Sequence, residues 1–149
     1  MTDIRKLAEE GWNAYFAHDL DACTASYADD AEVVFPGAPP IKGHDAIRAV
    51  TAMYLAAFPD ERPTSIRHIA DGTTVVTEFA SEATHSGPLM MPTGDTLPPT
   101  GRRVSFRGAV VQDVAGDKVV KQVFYFDNAE LLQQLGLMPG LEGAGAGAG

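Results

Sequence analysis

Three ionisable side chains stand where their surroundings could give them chemical work. Asp127 lies in VFYFDNAELLQQLG (123–136), where an aromatic strand pattern stops and a helical one starts. The string D-N-A-E puts Asp127 at the N-cap and Glu130 at N3, a capping-box arrangement. That role is favoured over catalysis, because orphan amides and the positive helix end lower a carboxylate's pKa and weaken it as a base. His85 ends a long strand just before a Pro/Gly-rich segment. It is either a general acid–base at a pocket mouth, with an ordinary pKa of about 6.5, or a strand-end histidine in water. Glu78 sits inside the apolar run TTVVTEFASEA, on the strand face of Val76 and Ala80 and opposite Phe79. If that face is concave, burial raises the pKa of Glu78 and makes it a base. If it is the outer face, Glu78 is solvated or paired with Arg67.

Apolar walls would come from Trp12, Tyr15, Tyr54, Phe79, Val110, Phe124 and Phe126. In a hollow fold, core and pocket wall are one surface, so these side chains serve either description. Arg107 and His68 read as cross-strand partners. There is one cysteine, Cys23, and no His/Cys cluster with zinc spacing, so no metal is expected. The chain has neither a G-x-G-x-x-G nor a G-x-x-x-x-G-K-[ST] string for nucleotides, and no G-x-S-x-G nucleophile elbow.

Several elements must position these groups. Ile4, Leu7, Ala8, Gly11, Trp12 and Tyr15 recur at helical spacing over 3–17, with Thr2 or Asp3 as cap. A shorter helix is expected over 18–28, capped by Asp19, and a strand over 31–37 ends at Pro36-Gly37. Ile47, Val50, Tyr54, Leu55 and Phe58 mark a helix stopped by Pro59. Strands over 63–70 and 73–86 turn at Asp71-Gly72; strands over 102–114 and 118–126 and a helix over 128–136 follow. Helices first and hairpins after give an α+β layout, a curved antiparallel or mixed sheet covered on one face by N-terminal helices. The open sheet face calls for a homodimer. Segment 86–101, SGPLMMPTGDTLPPTG, is either a lid or a plain connector.

At 149 residues, a single domain over 1–138 is expected, with a flexible Gly/Ala-rich tail from 139 to 149. A net charge of −9 repels phosphate backbones and anionic lipid, so nucleic acid and membrane are poor partners. The charged N-terminus has no apolar signal core, and no run is long enough to span a membrane, so the expected location is cytoplasmic.

The strings EATHSGPL (82–89), PPTGRRV (98–104), GDKVV (116–120) and YFDNAELLQQLGL (125–137) resemble the SnoaL-like polyketide cyclase family. That family belongs to the nuclear transport factor 2-like superfamily, which also holds ketosteroid isomerases. The resemblance runs over about residues 3–137 and implies a cone-shaped α+β barrel, a dimer and no required cofactor. It also implies an Asp on the last strand and a helping His on the adjacent strand. Those positions fall at Phe124 and Val110, while a pocket-lining Tyr of the first helix is matched by Tyr15. The expected function is proton transfer next to a carbonyl on a hydrophobic, ring-containing molecule, as in cyclisation or isomerisation. The alternative is an apolar cone that binds such a molecule without converting it.

Overall fold

A computed structural model describes residues 3–91 and 93–137. Helix α1 (Ile4–Phe16) starts at Asp3, whose side chain accepts from the amides of Arg5 and Lys6. Asp19 caps α2 (Leu20–Ala25) in the same way, through the amide of Ala22. This second helix is shorter than expected, because Tyr27 and Ala28 already belong to β1 (Tyr27–Val34). A two-residue β2 (Ile41–Lys42) precedes α3 (His44–Ala57), and Pro59 follows the helix end. The hairpin of β3 (Arg62–Asp71) and β4 (Thr74–Thr84) turns at Asp71-Gly72 as expected. Short β5 (Leu89–Met90) and β6 (Thr96–Leu97) come next. Then β7 (Arg103–Ala115), β8 (Lys118–Phe126) and α4 (Asn128–Gln134) complete the described chain. Thr2 and the Gly/Ala-rich tail lie outside the described residues.

The six long and short strands of the main sheet run β2-β1-β8-β7-β4-β3. Every pairing is antiparallel except β1 with β8, so the fold is an α+β layout built on a mixed sheet. Alternation on β4 buries Val75, Thr77, Ser81 and Ala83 toward the helices, with Phe79 on the same face. On β7 the inward set includes Val104, Val110, Gln112 and Val114. Two apolar clusters stabilise the two ends. Ala31, Val33 and Ile47 tie α3 to β1, while Phe58, Ala83, Val104, Leu131 and Leu135 tie the end of α3 to α4. Among the described residues no helix is long and apolar enough to cross a membrane.

Segment 86–101 is neither a free lid nor a plain connector. It folds into the β5–β6 hairpin, and Leu89 is buried in the Phe58–Leu131 cluster. The amides of Ser86 and Gly87 donate to the carbonyl of Ala57, closing the segment onto the end of α3. A Cβ on Gly87 would lie 2.0 Å from the carbonyl oxygen of Ala56, so only glycine permits this approach.

Candidate functional site

The concave face of the sheet and the helices above it enclose a half-open cavity of about 140 Å³. That is close to the size of an engineered apolar cavity that takes up benzene. Aromatic side chains make much of its wall. Trp12 packs on Phe79 with ring centroids 5.1 Å apart, and Phe35 stacks between Phe124 at 4.5 Å and Tyr54 at 5.5 Å. Trp12, Tyr15, Tyr54, Phe79, Phe124 and Phe126 all line this space. Val110 does not; it is fully buried in the sheet, paired with Phe124 on β8 and Thr77 on β4.

None of the three acid–base groups singled out in the sequence lines the cavity. Asp127 is the N-cap of α4, accepting from the amides of Ala129 at 2.9 Å and Glu130 at 3.2 Å. Glu130 turns away from the cap toward Arg107, 3.6 Å off. Glu78 lies on the outer sheet face and pairs with Arg67 at 3.1 Å, because the inward parity of β4 belongs to the odd-numbered residues. His85 is fully buried, yet under the 86–101 segment rather than at a mouth. Its amide donates to the carbonyl of Arg102, its carbonyl accepts from Gly101, and its Nδ1 contacts Thr100 Oγ1 at 2.9 Å. These bonds extend the β4–β7 ladder, and burial holds the His85 pKa below the usual histidine range. His68 bonds Thr77 across the β3–β4 pair at 2.8 Å, the cross-strand role expected of it.

Among the described residues the carboxylate in the cavity wall is one that sequence reasoning missed, Glu61. It lies in the turn after Pro59, between α3 and β3, with its amide bonded to the carbonyl of Phe58. The Tyr15 hydroxyl donates to one carboxylate oxygen and the Ser81 hydroxyl to the other, each at 2.8 Å. Both neighbours of Glu61 are clamped to the sheet. Asp60 accepts from the amide of Thr84 at 2.7 Å and pairs with Arg103 at 3.1 Å, while Arg62 pairs with Glu82. Burial raises the Glu61 pKa above the ordinary glutamate value, opposed in part by the Ser81 and Tyr15 hydrogen bonds. Burial, reinforced by the Glu61 charge, pushes the Tyr15 phenol well up and the Tyr54 phenol to about 12, so both stay neutral donors. Tyr54 Oη makes no hydrogen bond among the described residues, and no three of their His, Cys, Asp or Glu side chains form a metal-ligand set. Two sequence features called for a polar partner without naming Glu61: Ser81, a hydroxyl on the strand face of Phe79, and Tyr15, a phenol on the inward face of α1. Both need a polar partner inside an apolar shell.

A helix-roofed, curved mixed sheet around an aromatic cavity with a carboxylate in its wall is a small-molecule-sized container. The SnoaL-like domain profile matches residues 5–122, and the chain belongs to that family. Among solved structures, AclR of Streptomyces galilaeus, a candidate hydroxylase, is 25% identical with a TM-score of 0.78, over 99% of this chain and 90% of that one. A candidate polyketide cyclase of Pseudomonas putida KT2440 is 17% identical with a TM-score of 0.78, over 90% and 98%. IdmH of Streptomyces antibioticus, another candidate polyketide cyclase, is 24% identical with a TM-score of 0.72, over 91% and 99%. These two share the fold. No curated protein matches the chain.

The raised pKa of Glu61 has a signed consequence for stability. The folded state holds this proton more tightly than the unfolded chain. The resulting stabilisation is fully present below the ordinary glutamate pKa, about 4.3, and is lost as pH rises through the folded value. Urea denaturation of the protein and of Glu61→Gln across that window should show the wild type losing stability relative to the variant as pH rises. A relative gain would show that the carboxylate is stabilised, not strained, by its surroundings.

Proposed function

We propose that the cavity binds a hydrophobic, ring-containing molecule and that Glu61 moves a proton on the carbon next to its carbonyl, as in cyclisation or isomerisation. The observation that carries this reading is a carboxylate with a raised pKa in the wall of a cavity rich in aromatic side chains. As a carboxylate it accepts the proton; as the acid it returns the proton to another atom of the same substrate. Tyr15 and Ser81 fix both carboxylate oxygens, so the base is oriented before the substrate arrives. Tyr54, neutral and beside the Glu61 charge, donates to the carbonyl oxygen as negative charge develops on it. Membership of a family whose solved relatives include candidate polyketide cyclases agrees with a ring-bearing ketone as substrate.

A second reading, binding without chemistry, is favoured by the apolar Phe124 and Val110 at the two positions where the resembled cyclases carry Asp and His. We also propose a homodimer through the outer sheet face. There Ile69, Val76, Val111, Val123 and Val34 stand in register across five adjacent strands, with Ile69 51% exposed. An aliphatic row of this extent is a surface that a second copy would cover.

Proton NMR of 2-tetralone in D2O measures both chemistry and binding. The protein should accelerate exchange of the α-protons over buffer, and Glu61→Gln should remove about 10²–10⁴-fold of that rate. His85→Asn and Glu78→Gln should retain it. Saturation transfer to the ketone with no accelerated exchange would favour the binding-only reading, and full activity in Glu61→Gln would reject the proposed base. Light scattering should give a dimer mass for the wild type and a monomer mass for Val111→Lys; a monomeric wild type would reject the interface.

A further inference from the structure

Gln112 on β7 and Gln122 on β8 face each other across a ladder pair, 7% and 5% exposed, and both line the cavity. The Gln112 Nε2 donates to Gln122 Oε1 at 2.6 Å, and the Tyr27 hydroxyl donates to the same oxygen at 3.0 Å. Two donors converging on one oxygen fix the amide orientations. Flipping Gln122 would place its N–H groups against Tyr27 and strip that phenol of its acceptor. With Gln122 fixed, Gln112 must present its nitrogen, which leaves its Oε1 over. That oxygen is buried and accepts no hydrogen bond from any described residue. An acceptor left so inside a protein has lost its water without replacement, which destabilises the fold unless something donates to it.

No donor among the described residues reaches it. The Cys23 thiol is directed to the carbonyl of Gly11 at 3.8 Å, the Ser26 hydroxyl to that of Cys23 and the Thr51 hydroxyl to that of Ile47. Along the inward face of β7, Gln112 is six residues from Phe106, the partner of Ser81, so this corner lies away from the Glu61 end. We propose that Gln112 is a specificity-determining residue whose Oε1 accepts a hydrogen bond from a hydroxyl carried on the ring system of the bound molecule. A ring ether or carbonyl at this point would oppose lone pair to lone pair. A site built to receive a hydroxyl discriminates strongly against the analogue that lacks it. An ammonium donor is disfavoured by the cost of stripping its water in an apolar wall. The inference rests on the cavity being the ligand site proposed above, and it adds the class of ligand: hydroxylated, phenol-like rings.

Calorimetric titration with 2-naphthol and with 2-methoxynaphthalene near neutral pH tests this on the unaltered protein. The hydroxyl probe should bind about tenfold more tightly. In Gln112→Leu, checked for folding by circular dichroism, the ratio should fall to about one, whereas Glu61→Gln should keep it. Equal binding of the two probes to the wild type, or a preference that survives in Gln112→Leu, would overturn the inference. Equal binding alongside ketone exchange that depends on Glu61 would leave the proposed function standing and reject only the hydroxyl subsite. Binding of neither probe would reject the cavity reading together with it.

Discussion

The β4–β7 ladder is the constraint on which the rest of the molecule depends. All 11 residues of β4 pair with β7 without a register shift, from Thr74 opposite Asp113 to Thr84 opposite Arg103. Because side chains alternate, a slip of one residue between the two faces would exchange the contents of the cone for its exterior. Phe79, Phe106 and Gln112 would leave the cavity, Ser81 would leave Glu61, and Glu78, Glu82 and Arg107 would enter an apolar interior. Burying those charges without partners costs far more than any local contact could offset. The hollow and the side chains that line it are therefore consequences of register.

Register also explains why the cavity can hold a carboxylate. Ser81 faces inward at the level where the chain leaves α3, and Tyr15 reaches the same level from the roof. Glu61 enters between them from a turn whose flanking residues, Asp60 and Arg62, are held to β4 and β7 by hydrogen bonds and ion pairs. Each exposed ion pair is worth little to stability alone. Together they fix the turn, and a fixed turn fixes the carboxylate. The opposite corner follows the same rule with amides, where a pair of glutamines on facing strands meets a tyrosine from β1.

Much of the fold was legible because local chemistry and global packing agree. Asp3 and Asp19 cap the helices that follow them, Asp71-Gly72 turns the hairpin, and Pro59 ends α3. Boundaries slipped where an element was set by long-range pairing: Tyr27 joins β1 because β1 lies parallel to β8, a partner far along the chain. The polar groups of the cavity were less legible, for physical reasons. Glu78 is conspicuous in an apolar run, but neither face of β4 is purely apolar, so periodicity could not say which one is concave. His85 sits beside an odd loop, yet Leu89 and Gly87 pin that loop into the core. Glu61 belongs to no periodic element, and only the three-dimensional meeting of α1, β4 and the turn reveals it.

Burial in the wall of the cavity raises the affinity of the Glu61 carboxylate for a proton. A carbon-13 NMR titration of the glutamate side-chain carboxyls, with Glu61→Gln used to assign the signal, measures this directly. The Glu61 carboxyl should titrate above the exposed glutamates of the same protein. Titration at or below their midpoint would mean that its hydroxyl partners outweigh burial, and that the cavity contains no base of the kind described.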